Sequence, residues 1–301
     1  MQITGIKPFV WRRLTLILIG LLFMGPVPTL AQSDTPRPVI EFTEEMLGRK
    51  SLNEYGSLEQ AIQLMRSYRS LDLNAELWRD SHPGRAYAEW AELARDRLAT
   101  GLHNEPGPSD LKAKTFARAE TDSFIRETIE FNTTPWFRVP GYFYIPKNVP
   151  LPAPALVVLH AWGGPMLFGA DRVSGEPVHE AIVRHRAKTT SGRALADWYA
   201  SNGYAVIVID AYHFGRRAPR GLNGLPESYD PAQLDDDTLE RYDSIARKNL
   251  YLGVRQLNWA GTTWAGVNYF DDSRCVDYLL SRKEVDGDRI GVTGLSGGGW
   301  R

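Results

Sequence analysis

Residues 289–298 read Arg289-Ile290-Gly291-Val292-Thr293-Gly294-Leu295-Ser296-Gly297-Gly298. The first five read as a buried strand, and Gly294 to Gly298 match the pattern G-x-S-x-G. A strand running into a tight glycine turn with a central serine suggests a nucleophile elbow, a strained turn that presents a hydroxyl to a carbonyl carbon. Five residues with two glycines are a weak signal alone; the preceding strand gives them weight. The sequence ends at Arg301, inside the helix that such an elbow opens. The expectation is therefore a fold interrupted shortly after its nucleophile.

Working back from the elbow, residues 262–280 have helical periodicity, and Val285-Asp286-Gly287-Asp288 reads as the turn into the elbow strand. A polar insertion over residues 211–261 contains a predicted helix, 238–257. Tyr204-Ala205-Val206-Ile207-Val208-Ile209 and Ala155-Leu156-Val157-Val158-Leu159 are continuous apolar runs, as expected of strands buried on both faces. A helix over 194–202, stopped by Gly203, separates them from one another. Strands alternating with helices predict a mostly parallel sheet covered on both faces. Residues 124–131 and 137–145 are β-rich and closely linked, which predicts an antiparallel hairpin. Further upstream, 57–71 and 85–100 carry helical stripes, the second ended by Gly101, and 104–109 is a loop. The fold class expected is α/β: a hairpin and parallel strands flanked by helices, preceded by a helical section, with the C-terminal strands and helices missing. The domain reading is a signal peptide over 1–31, a flexible start and helical extension over 32–115, and an incomplete α/β domain over 116–301.

Lys7, Arg12 and Arg13 precede an apolar run over 14–24, which is followed by Pro26 and Pro28. That run is short for a membrane span and has the layout of a secretory signal, with cleavage expected before Gln32. An uncleaved N-terminal anchor is the alternative; both readings export the body, to the periplasm or outside. Cys275 is the only cysteine, so an exported body has no internal disulfide, and the thiol is read as packed in a helix. Net charge is −1 over 301 residues, which gives no footprint for nucleic acid and no charged binding tail. Cys-plus-His metal spacing is absent, and no metal is expected. The nine Trp and thirteen Tyr are read as core fillers before they are read as a carbohydrate platform. Asn132-Thr133-Thr134 is a glycosylation sequon, meaningful only in a host that glycosylates.

An acylated serine needs an oxyanion hole of aimed N–H groups. The N–H of Gly297, directly after Ser296, is the first candidate. The second is expected in His160-Ala161-Trp162-Gly163-Gly164-Pro165, at the carboxyl end of the 155–159 strand, where open α/β sheets place their sites. Trp162 is the choice there, with Ala161 next. His160 is read as ordering the turn rather than as a base. His82, His103, His179, His185 and His213 have no evident arrangement relative to Ser296 and are read as structural or solvated. Asp210 closes a strand and is read as a strand-to-loop cap.

Together the hairpin, the run VVLHAWGGP (157–165), VIVIDAYHFGRR (206–217), residues 276–294 and GLSGGGW (294–300) resemble the α/β-hydrolase superfamily. Within it the chain looks like bacterial secreted esterases of the acetyl xylan esterase and dienelactone hydrolase type, over roughly residues 116–301. Ala161 departs from the glycine usual after the loop histidine, which leaves the oxyanion donor open between neighbours. The resemblance implies a serine ester hydrolase that needs no cofactor and acts on small or carbohydrate esters. It also implies a chain order of Ser, then Asp or Glu, then His. Both partners are then expected beyond Arg301, and residues 1–301 alone are expected to be inactive. The alternatives are a prolyl-oligopeptidase-like peptidase, although no repeated blade pattern lies upstream, and a non-catalytic remnant or interaction domain. A dinucleotide-binding domain is disfavoured because the glycines lack its spacing.

Overall fold

The structure is a computed structural model in which residues 87–102, 106, 107, 109–299 and 301 are described. These belong to a unit spanning Ala75–Arg301. The leader, the polar start, the helix predicted over 57–71, His82 and His103 lie outside the described residues.

The described chain opens with helix α1 (Tyr87–Leu102), which runs through Gly101 rather than stopping before it. A six-stranded sheet follows: β1 (Lys114–Glu120), β2 (Phe124–Asn132), β3 (Arg138–Pro146), β4 (Ala153–Leu159), β5 (Ala205–Ile209) and β6 (Val285–Gly294). Between β4 and β5 lie a 3-10 segment (Met166–Arg172), α2 (Glu180–Thr189) and α3 (Leu195–Ser201). Between β5 and β6 lie α4 (Asp236–Trp259) and α5 (Trp264–Leu280).

The sheet order is β1-β2-β3-β5-β4-β6. The predicted hairpin is present, with β2 and β3 in unbroken antiparallel register from Phe124↔Pro146 to Asn132↔Arg138. β3 then pairs antiparallel with β5, and only β5, β4 and β6 run parallel. The expectation of a mostly parallel sheet is thus corrected: the hairpin carries its antiparallel sense into the centre. β1 is a strand that periodicity did not reveal. All seven of its residues are exposed, so no buried face imposed an apolar alternation.

β5 is buried along its whole length, as its position between β3 and β4 requires. Its residues divide between two layers. Ile207 and Ile209 join Phe131, Phe143 and Val157 under Tyr278 and Leu279 of α5. Val206 and Val208 join Tyr144 and Val158 under Ala196 and Ala200 of α3. The two faces are therefore covered by helices whose small or aromatic residues face the pleat. Removing a fully buried ring such as Phe143 from this core costs about 3–5 kcal/mol. Side-chain caps start the two long helices: Asp235 accepts the Thr238 N–H for α4, and Thr263 accepts the Gly266 N–H for α5.

β6 begins earlier than predicted. Val285 already pairs with Ala153, and the Val285-to-Asp288 stretch belongs to the strand. The register is interrupted before Ile290 pairs with Ala155, and there the Asp288 N–H turns back onto the Asp286 carboxylate. Among the described residues β6 ends the sheet, and Val292 on it is 63% exposed.

Candidate active site at the carboxyl ends of β4 and β6

β4 and β6 are parallel neighbours, and the last pair in their register is Leu159↔Gly294. The loop beginning at His160 and the turn beginning at Leu295 therefore leave the sheet side by side. In the turn, Ser296 has φ of 56°. A non-glycine residue in the left-handed region costs about 1–3 kcal/mol and persists only where its surroundings impose it. Here the Gly298 N–H bonds Leu295 O at 3.0 Å and the Gly299 N–H bonds Ser296 O at 2.8 Å, closing a 3-10 turn around the serine. The flanking glycines make that turn possible. A β-carbon at Gly294 would strike the Gly298 carbonyl, and one at Gly298 would strike the carbonyl of Leu159. Ser296 stands exposed at the tip, with its hydroxyl bonded to no histidine among the described residues.

The loop after β4 is brought against this turn. A β-carbon placed on Gly297 would lie 2.6 Å from the Trp162 backbone nitrogen. The two residues expected to supply N–H donors, Gly297 and Trp162, are thus in backbone contact. The Trp162 indole packs edge-on against Trp264 with centroids 4.7 Å apart.

His160 is buried, and both ring nitrogens are committed. Nε2 accepts the Ala211 N–H at 3.0 Å, and Nδ1 lies 3.1 Å from Ala161 O and 2.6 Å from a terminal nitrogen of Arg172. Burial, and then the Arg172 cation, push its pKa well below the ordinary histidine value. It has neither a free lone pair nor the basicity to take a proton from serine, and it orders the turn as expected.

A cleft of about 470 Å³ opens beside Ser296 and Leu295, walled by Ala161, Gly163 and Pro165 on one side and by His185 and Lys188 of α2 on the other. This corrects the reading of His185 as unrelated to Ser296. The sequence reasoning missed α2 because only Ile182 and Arg186 of it are buried, too few for an apolar stripe. Its signal was the cap: His179 Nδ1 accepts the Ala181 N–H at 3.0 Å, with Glu180 in the first turn. His185 is held neutral near physiological pH, its pKa pushed down to about 4 by burial and then by Arg172 and Arg186. His213 is likewise pushed down to about 4 by burial and then by Arg217.

Asp210 is a cap, as read from its place at the end of β5. One carboxylate oxygen accepts the Ala170 N–H at 2.7 Å, and the other accepts the backbone N–H and Nε–H of Arg216 at 3.0 and 2.9 Å. Behind the elbow, Arg301 forms a buried two-point ion pair with Asp272 of α5, at 3.0 and 2.6 Å. Arg217 pairs with the adjacent Asp271 at 2.8 Å. These pairs anchor the segments flanking the site to α5, and no local sequence pattern announced them. Cys275 is buried on α5, its thiol contacting Asp271 O at 3.6 Å, and burial pushes its pKa well up. Among the described residues no cluster of three or more His, Cys, Asp or Glu could hold a metal ion. No helix among them is long and apolar enough to cross a membrane.

No protein-family model matches the chain. A Bacillus subtilis (strain 168) protein, YtaP, named by inference as a hydrolase, is 29% identical over 205 residues, covering 68% of this chain and 56% of its own length. The chain thus spans little more than half the length of the curated relative it matches. Among solved structures, a Bacteroides fragilis protein described by inference as an acetyl xylan esterase superposes with a TM-score of 0.53 at 19% identity. That match covers 82% of this chain and 57% of the other. An acetyl xylan esterase from Paenibacillus sp. R4 gives a TM-score of 0.36 at 22% identity, over 69% of this chain and 52% of the other. With a six-stranded sheet whose parallel strands β4 and β6 carry a serine turn and a glycine loop side by side, this chain has the α/β-hydrolase fold.

Proposed function

We propose that this chain is the nucleophile-bearing part of an exported serine hydrolase that cleaves carboxylic esters, of the acetyl xylan esterase kind, through an acyl-enzyme on Ser296. The observation that carries the reading is Ser296 at φ 56°, with the Gly297 backbone packed against the Trp162 nitrogen. A serine in that position presents its oxygen above the carboxyl edge of the sheet, next to two candidate oxyanion donors. The name of the Bacillus subtilis relative supports hydrolysis as the chemistry, and that of the Bacteroides fragilis structure supports an ester as its target. The N-terminal residues 1–31, with Lys7, Arg12 and Arg13 before an apolar run, support export.

In the reaction, Ser296 Oγ attacks the ester carbonyl carbon and its proton passes to a base. The carbonyl oxygen becomes an oxyanion held by the N–H groups of Gly297 and Trp162. Collapse breaks the carbonyl–alkoxy bond, and the alcohol leaves with the proton. Water then attacks the acyl-enzyme and the acid departs, regenerating the serine. No cofactor enters this scheme. Among the described residues no base stands in place: His160 has no lone pair to offer, and His185 is a weak base with no hydrogen bond to Ser296. Residues 1–301 by themselves are therefore expected to hydrolyse esters only at a residual rate.

The test is fluorophosphonate labelling and p-nitrophenyl acetate hydrolysis by the complete gene product that contains these residues. Labelling that maps to Ser296 and is lost in Ser296→Ala supports the reading. A folded complete product that is neither labelled nor active removes it. Robust turnover by residues 1–301 alone removes the expectation of a residual rate.

A further inference from the structure

Arg172, the last residue of the Met166–Arg172 segment, is 1% exposed. A buried guanidinium loses several kcal/mol of hydration and is ordinarily matched with a carboxylate. Among the described residues Arg172 forms no ion pair. Nε donates to Gly169 O at 3.2 Å and one terminal nitrogen to Gly163 O, while the other donates to Ala161 O at 2.5 Å and lies 2.6 Å from His160 Nδ1. The Phe214 ring lies beneath it, 5.2 Å from the guanidinium carbon. For core filling alone, a neutral side chain of that size would be less costly.

The choice of carbonyls is informative. Ala161 and Gly163 flank Trp162, and a planar trans peptide holds its C=O and N–H on opposite sides. Drawing Ala161 O towards Arg172 therefore turns the Trp162 N–H away from the arginine. Trp162 N is the atom that lies against Gly297 of the serine turn. The His160 ring packs into the same cluster, with Nδ1 3.1 Å from the Ala161 oxygen and 2.6 Å from the Arg172 nitrogen that bonds it. Arg247 of α4, itself held by Asp243 at 3.0 Å, donates to the carbonyl after that of Gly163, Gly164 O, at 3.1 Å. A cation bonded to a peptide oxygen also polarises that peptide and makes its N–H a stronger donor.

We propose that Arg172 is a positioning residue of the oxyanion hole: its buried guanidinium, bonded to the carbonyls of Ala161 and Gly163, aims the Trp162 N–H at the Ser296 turn and strengthens it as a donor. The inference rests on the esterase reading above. It assigns Arg172 no contact with substrate. Its effect is felt when negative charge develops on the substrate oxygen, so it belongs to kcat rather than to KM.

The test uses the complete gene product with Arg172→Met and Arg172→Lys, assayed on p-nitrophenyl acetate with active sites titrated, so that only folded, acylable enzyme is counted. Deleting one oxyanion donor outright slows turnover by about 10²–10³-fold. Arg172→Met is expected to lower kcat by about 10²-fold with KM within about threefold, and Arg172→Lys, which keeps a charge and can serve one carbonyl, to recover part of the loss. Inhibition by a phenylboronic acid, whose tetrahedral adduct mimics the oxyanion, should weaken in parallel with kcat. A residue that only supports the fold would lower the thermal midpoint and leave kcat per titrated site unchanged, and that result overturns the inference. If Arg172→Met does not fold, Arg172→Lys decides: a reduced kcat at unchanged KM supports the role, and a wild-type kcat overturns it. An unreactive wild-type enzyme would overturn the esterase reading and this inference together, whereas an active wild type with unimpaired variants removes this inference alone.

Discussion

The serine turn and the glycine loop sit side by side but are held by different means. The turn after β6 is made of its own backbone: two short-range hydrogen bonds, a left-handed Ser296, and glycines at 294 and 298 that let the chain close on itself and on Leu159. The loop after β4 is held by the ring of its own first residue, His160, and from outside by Arg172 and by Arg247, which α4 supplies from far along the chain. Local geometry built from glycine leaves a mark in the sequence. Geometry imposed by buried side chains from other elements does not. The contrast predicts that damage to the turn will be steric and damage to the loop will be electrostatic.

The largest effect should come at the point the two regions share. Ser296→Ala in the complete gene product is expected to lower p-nitrophenyl acetate turnover by about 10⁴-fold or more. Retention of a tenth of the activity would show that the turn carries no nucleophile. Next is the Arg301–Asp272 pair, buried on both sides. Asp272→Ala strands a buried cation and is expected to destabilise by about 3–5 kcal/mol, read from the urea midpoint. An unchanged midpoint would mean that the segment after the turn is not anchored there.

Gly298→Ala should cost about 2–3 kcal/mol, because the new methyl meets the fixed carbonyl of Leu159. Gly291→Ala, in the same strand-and-turn unit, meets only the end of the Leu156 side chain at 3.1 Å and should be much milder. Equal losses in the two variants would remove the steric account of the turn. The smallest effect concerns the charges near the loop. His160, His185 and His213 all have folded pKa values below the ordinary 6.5. Between pH 6.5 and about 4 the unfolded chain therefore binds protons that the folded chain refuses, and stability falls as pH falls. The raised pKa values of the buried carboxyls of Asp171, Asp243 and Asp272 oppose this trend at the acid end. His213→Phe isolates the histidine contribution. Relative to wild type, it should lose less of its thermal midpoint between pH 7 and pH 5, by a few degrees; identical pH profiles would show that His213 takes no part.

Much of the sheet was legible in the sequence because burial on both faces leaves no alternative to continuous apolar runs. Residues 155–159 and 204–209 became β4 and β5 for that reason, and the hairpin alternation became β2 and β3. β1 was invisible because all its residues are exposed, and α2 because only two of its side chains are buried. The antiparallel join of β3 to β5 could not be read either. Each strand shows its own burial, and neither records which neighbour it pairs with. At the site, Ser296, Gly297 and the loop around Trp162 were legible. His185 beside the cleft, and Arg172 behind the loop, were not.

By itself, then, the sequence determined a strand that ends in a glycine-flanked serine and a second apolar strand that ends in a glycine loop, since glycine and continuous burial are local necessities of those shapes. Only the tertiary structure decided that the two loops leave adjacent strands in register at Leu159 and Gly294, and that a buried arginine bonds the carbonyl of Ala161. Pairing between strands and the destination of a long cationic side chain depend on contacts between residues distant in the chain, and those exist only once the core has closed.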